Sequence, residues 1–175
     1  MRIVDHAGGD LPGGQIGEVW IRTPARMLEY WRLPEATAAT LVDGWIRTGD
    51  AGFLDDEGFL FIRDRLKDTV IVAGENVYPV EIENALCLHP AVVEAAVVGR
   101  PHDRWGETIH AFVALAPGTR PTPRELTLFL RQRLADFKLP TGYDFVDRLP
   151  RNPSGKVLRR VLRDRFWAGR DRQVN

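Results

Sequence analysis

Lys156 closes the run Asn152-Pro153-Ser154-Gly155, where proline and glycine fix a turn, so its ammonium is projected from a defined stretch of backbone. A cation held in this way can stabilise negative charge developing on a phosphate or a carboxylate, although a solvated loop lysine is the other reading of the same residues. Asp50 follows Thr48-Gly49 and is either a turn-former or an ionised acceptor with two oxygens for a ligand's hydroxyl groups. Arg65 offers a planar set of donors that can orient a polar ligand, or it is a solvated member of the run Arg63-Asp64-Arg65. Lys67 lies in the same charged stretch. Gly74 separates two β-prone segments, where a missing side chain leaves room for close approach.

Other chemistries find little support. The four histidines, at 6, 89, 102 and 110, show neither i, i+4 pairing nor a Cys/His cluster, so no metal site is expected. Cys87 is the single cysteine, which excludes an intrachain disulfide and fits a reducing cytoplasm. Lys plus Arg equals Asp plus Glu at 24 each, leaving no charge-based case for nucleic acid. Residues 148–175 do carry nine basic residues against two acids, but without an aromatic stacking platform. No run of about 18 apolar residues is present, so no transmembrane segment is expected.

The elements that must position these groups fall into two parts. Up to Arg63 the chain reads as short strands with glycine turns: Arg2 to Val4, Ile16 to Arg22, and two strands within Gly44 to Arg63 around the turn at Asp55 to Gly58. Ala25 to Trp31 and Pro34 to Leu41 read as helices. This first third has few residues to bury and is expected to be the edge of something larger. Beyond Asp64, a β-branched run at Thr69 to Ala73 leads to a turn at Gly74-Glu75-Asn76. A helix from Pro79, strands at Ala91 to Val98 and Thr108 to Ala116, a helix from Pro123 to Ala135, a strand at Tyr143 to Val146 and a closing helix to Trp167 follow. The class is α+β, with a three-stranded sheet and flanking helices in the second part. Trp45 and Trp105 are assigned to packing.

Taken in order, GWIRTGD (44–50), DRLKD (64–68), AGENVYPVEIE (73–83) and LPRNPSGKVLRR (149–160) resemble the adenylate-forming superfamily of AMP-forming acyl-CoA ligases, coumarate-CoA ligases and luciferase. PHDRWGE (101–107) and LADFKLP (134–140) match it too. The resemblance implies that a carboxylic acid attacks the α-phosphate of ATP to give acyl-AMP, and that a thiol, usually of coenzyme A, then displaces AMP. Residues 1–65 would be the last segment of the large domain and 66–175 a mobile lid. By the same resemblance Lys156 is catalytic, Asp50 and Arg65 hold the nucleotide ribose, Lys67 is the hinge, and Gly74 lines the passage for the pantetheine arm. The Mg2+ site, the ATP phosphate loop and the acid tunnel belong to a large domain not found in these residues, so the chain alone is expected to be inactive. A lid serving a carrier protein, and a non-catalytic binding module, are the alternatives.

Overall fold

A computed structural model describes residues 1–169, which divide into two compact units, the first ending at Lys67 and the second beginning at Asp68. The first unit is built on a five-stranded antiparallel sheet of β1 (Arg2–Val4), β2 (Gly17–Ile21), β3 (Leu41–Val42), β4 (Trp45–Leu54) and β5 (Leu60–Arg65). The ten-residue β4 pairs with β2 along one edge, and with β3 and then β5 along the other. Buried Glu18 on β2 accepts hydrogen bonds from Trp20 Nε1 at 2.9 Å and Gly49 N at 3.1 Å, and pairs with Arg47. A carboxylate kept inside by three partners has its desolvation offset, and here it fixes the backbone leading into Asp50.

Helix α1 (Pro34–Thr40) starts on its proline, as expected. The helix expected over Ala25 to Trp31 does not form. Leu28 is 92% and Trp31 76% exposed, so the segment has no apolar stripe against a partner to offset the cost of nucleation. Trp45 is half-buried and lies under the Arg2 guanidinium, 5.2 Å from the ring centre.

The second unit wraps three helices, α2 (Pro79–Cys87), α3 (Pro123–Arg131) and α4 (Arg159–Trp167), around another five-stranded sheet. Its strands are β6 (Val70–Val72), β7 (Glu75–Val77), β8 (Val92–His102), β9 (Gly106–Leu115) and β10 (Gly142–Val146). β8 and β9 form a long antiparallel pair, and β10 runs parallel to β9. Alternation along β9 feeds two cores. Ile109, Ala111 and Val113 pack with Ile82 and Leu86 of α2 and Leu126 and Leu130 of α3. Phe112 faces the other way, onto Ala96, Val98, Leu149 and Leu162 of α4. Thr122 and Glu125 close a capping box at the start of α3.

The sheet has five strands where three were expected. The turn is centred on Ala73 and Gly74, with φ of +51° and +88°, and not on Glu75-Asn76. Two successive left-handed residues suit a two-residue hairpin, which frees Glu75–Val77 to pair with Val70–Val72 and join the sheet at Val72 opposite Gly106.

His110 on β9 is buried against Phe112 and Phe166 and makes no well-aligned hydrogen bond; Asp144 Oδ1 lies 3.4 Å from its Nε2. Burial pushes its pKa below the ordinary 6.5, and the Asp144 carboxylate only partly opposes this. A group whose folded pKa is depressed binds its proton more readily when unfolded, so the second unit is expected to lose stability as pH falls through 6.5. Chemical denaturation at several values between about pH 7 and pH 5 should show that decline, and His110→Leu should flatten it. An unchanged slope in the variant would locate the titration elsewhere.

Candidate active-site surfaces

Lys156 sits at the end of a small, closed loop. Asn152 Oδ1 accepts from Lys156 N at 2.8 Å and from Ser154 Oγ at 2.8 Å, Asn152 N donates to Lys156 O at 2.9 Å, and Gly155 N donates to Asn152 O at 2.9 Å. Arg151 bridges opposite Val157 and donates from its guanidinium to Gly155 O at 2.6 Å. That guanidinium also pairs with Glu94 on β8, whose other oxygen accepts from Leu149 N at 3.2 Å. The loop is thus a preorganised hairpin riveted to the strand, while the Lys156 side chain is exposed and enters no ion pair among the described residues. An ammonium on a rigid mount, with no partner to leave, can stabilise charge elsewhere without first reorganising.

Asp50 and Arg65 are brought together. They are partners across β4 and β5, and Arg65 Nε lies 3.0 Å from Asp50 Oδ1. Asp50 N is turned by Thr48 Oγ1 at 3.1 Å, and Thr48 Oγ1 donates to Val19 O at 2.7 Å. One carboxylate and one guanidinium side by side on a strand pair present acceptor and donor faces to a single polar ligand. Lys67 is exposed, in the one-turn 3-10 segment Leu66–Asp68 where the two units meet in sequence.

Gly74 caps the β6–β7 hairpin, and a Cβ built there would meet nothing within 4 Å. Beside it, within the second unit, is a cavity of about 470 Å³ walled by Val72, Ala73, Trp105, Ile109, Phe137 and Leu139, with Arg131 and Asp136, paired at 3.2 Å, also in its lining. A mostly apolar slot whose one cation is already paired with a carboxylate suits a slender, largely uncharged ligand. Trp105 is therefore not a packing residue. It is 42% exposed, stacks on His102 at 4.6 Å between centres and presents a face to the cavity. Local sequence gives no means of separating such a tryptophan from a core one.

The basic end of the chain also differs from expectation. In the basic stretch 148–175 the closing helix reads as placing some arginines in water and others near nucleotide or coenzyme A phosphates. Arg159 instead pairs with Glu83 at 2.5 Å and approaches Asp68 at 4.0 Å, with Arg163 3.9 Å from Asp68. This cluster joins α4, α2 and the first residue of the second unit. Arg170 and Arg172 lie outside the described residues.

The Lys156 loop and the Gly74 hairpin are anchored far apart. Glu94 pairs with Ala114 and Val72 with Gly106, so the anchors lie eight residues apart along β9, about 26 Å of strand. Among the described residues no three His, Cys, Asp or Glu groups gather as a metal site, and no helix is long and apolar enough to cross a membrane.

Residues 81–156 match the AMP-binding enzyme C-terminal domain. Over 174 residues, 99% of this chain and 34% of its relative, the sequence is 62% identical to a fatty acid–[acyl-carrier-protein] ligase, ScoC, of Streptomyces coeruleorubidus. It is 45% identical to a feruloyl-CoA synthase of an Amycolatopsis species, over 95% of this chain and 34% of that protein. Among solved structures it superposes on o-succinylbenzoate CoA synthetase of Bacillus subtilis bound to its acyl-adenylate, with a TM-score of 0.87 at 40% identity, over 93% of this chain and 33% of that one. The chain thus spans about a third of the length of the curated relatives it matches. Over nearly its whole length it matches the carboxyl-terminal portion of enzymes of the adenylate-forming superfamily.

Proposed function

We propose that this chain is the carboxyl-terminal part of an ATP-dependent, AMP-forming ligase that activates a fatty or aromatic carboxylic acid as acyl-AMP and passes the acyl group to the thiol of coenzyme A. Residues 1–65 complete the large domain, and 66–175 are a lid that turns about Lys67. The observation that carries this reading is that the Lys156 loop and the Gly74 hairpin are anchored at positions about 26 Å apart along β9. Two edges so far apart on one rigid sheet cannot serve a single reaction centre together. A hinge that presents them in turn resolves the difficulty, the backbone change being absorbed by a few connecting residues.

In the first step the Lys156 ammonium meets the carboxylate and the α-phosphate as the new acyl–phosphate bond forms and pyrophosphate departs. Its charge stabilises the equatorial oxygens where negative charge collects. Asp50 accepts from the ribose hydroxyls and Arg65, paired to it at 3.0 Å, holds both in register. In the second step the lid has turned, and the thiol-bearing arm passes the side-chain-free Gly74 and lies in the slot beside Trp105. Magnesium and the ATP phosphates fall to the large domain.

A carrier protein in place of free coenzyme A is the second reading, favoured by the 62% identity to an enzyme named for that acceptor. Both acceptors present a pantetheine thiol, so the same slot serves either. Pyrophosphate exchange with a panel of acids separates these readings from the binding-module alternative: the complete protein is expected to exchange and the isolated chain to show none. Exchange by the isolated chain would overturn the division of labour; supplying coenzyme A or a phosphopantetheinylated carrier to the complete protein then identifies the acceptor.

A further inference from the structure

The segment PHDRWGE contributes Trp105 to the cavity wall, yet its last residue has no part in the scheme above. Glu107, the second residue of β9, is only 6% exposed. Its Oε2 accepts from Ile71 N of β6 at 2.8 Å. The neighbouring β8 makes room for it: a Cβ on Gly99 would lie 2.9 Å from Glu107 Cδ and from both carboxylate oxygens. A glycine at 99 is thus what allows the carboxylate to reach across to Ile71. The same end of β9 also grips the hairpin through Ala73 N, which donates to Trp105 O at 3.0 Å, and through the pairing of Val72 with Gly106.

These contacts converge on a turn that does not hold its shape easily. Ala73 has φ of +51°, a conformation that side chains of L configuration seldom adopt and that persists where surrounding contacts over-determine it. A buried carboxylate is a costly way to fill a sheet edge, and a valine would pack there at less expense in desolvation. What the carboxylate adds is an acceptor for the Ile71 amide, two residues before the hairpin tip.

We propose that Glu107 is a positioning residue for thioester formation, acting through Ile71 to set the Ala73–Gly74 tip along the path of the pantetheine arm. This rests on the reading of Gly74 given under the proposed function. Glu107 touches neither the thiol nor the acyl group; it acts through the hairpin, while the Lys156 loop, anchored at the other end of β9, is outside its reach.

The test is a double-mutant cycle in the complete enzyme. Gly99→Ala displaces the carboxylate without deleting it, and Glu107→Ala removes it. Each single variant is expected to slow acyl transfer from supplied acyl-adenylate about 10- to 100-fold, with pyrophosphate exchange within about twofold of the parent. The double variant should be no slower than the worse single, because both changes act through one group. Amide hydrogen exchange at Ile71 and Ala73 should accelerate in all three. Equal losses in both half-reactions, multiplying effects in the double variant, or unchanged exchange at Ile71 would each overturn the proposal. Should Glu107→Ala fail to fold, Gly99→Ala carries the comparison. If the parent enzyme activates no acid, the functional reading fails by itself, while amide exchange still reports whether Glu107 holds the hairpin.

Discussion

Replacing Lys156 by alanine in the complete enzyme is expected to slow acid activation about 100- to 1000-fold, the usual cost of losing one preorganised electrostatic group. Acyl transfer from supplied acyl-adenylate should stay within about threefold, since the proposed function assigns that step to the other end of β9. The asymmetry follows from the mounting of the loop. Asn152, Arg151 and Glu94 bear the structural work, whereas the Lys156 side chain stands clear of the protein. Stability should therefore change by no more than about 0.5 kcal/mol, as for other exposed side chains without structural partners. Pyrophosphate exchange, single-turnover transfer and thermal unfolding on one preparation check all three statements.

The opposite pattern is expected at Gly74. Gly74→Leu should slow transfer about 100-fold while acid activation is preserved, because the side chain enters the arm's passage and displaces the reacting thiol. Nothing in the protein lies within 4 Å of a Cβ at this position, so the obstruction is to a ligand and not to folding. A backbone cost accompanies it: φ of +88° disfavours any side chain, by about 1–2 kcal/mol. Gly74→Ala carries the same backbone cost with little of the bulk. Transfer rates that fall far more for leucine than for alanine would assign the loss to blockage; equal losses would assign it to the backbone.

Short-range signals were enough for much of this. Glycine and proline turns, β-branched runs and the stripe of Leu126, Phe129 and Leu130 lead to the right elements over most of the chain, although α3 ends at Arg131, short of the expected Ala135. Of the residues singled out for chemistry, Lys156 and Gly74 lie on turns, Lys67 on a 3-10 segment, Arg65 at the end of β5 and Asp50 within β4. Asp50 and Arg65 prove to be cross-strand partners, which their separate roles did not require. What escaped depends on contacts distant in sequence. The hairpin at Ala73 and Gly74 needs a left-handed alanine, and alanine carries no turn signal; its stabilising bonds come from Trp105 and Glu107, more than thirty residues on. Arg159 reads as a free cation until Glu83, on a helix far away in sequence, is seen to face it. Ala25 to Trp31 has helical composition, but composition cannot report that nothing covers Leu28 and Trp31. Burial of a carboxylate such as Glu107 is likewise invisible where the sequence shows only a charged residue after Trp-Gly.

One measurement addresses the ammonium of Lys156 without relying on the deletion of a side chain. In the complete enzyme carrying Cys87→Ser and serine at every cysteine of the large domain, Lys156→Cys removes the charge, and alkylation with bromoethylamine restores an ammonium at nearly the original reach. Pyrophosphate exchange is expected to collapse in the cysteine variant, to recover after aminoethylation, and to stay low after alkylation with neutral iodoacetamide. Recovery with the neutral reagent, or full exchange by the unmodified cysteine variant, would contradict the claim that a positioned positive charge on this loop drives acid activation.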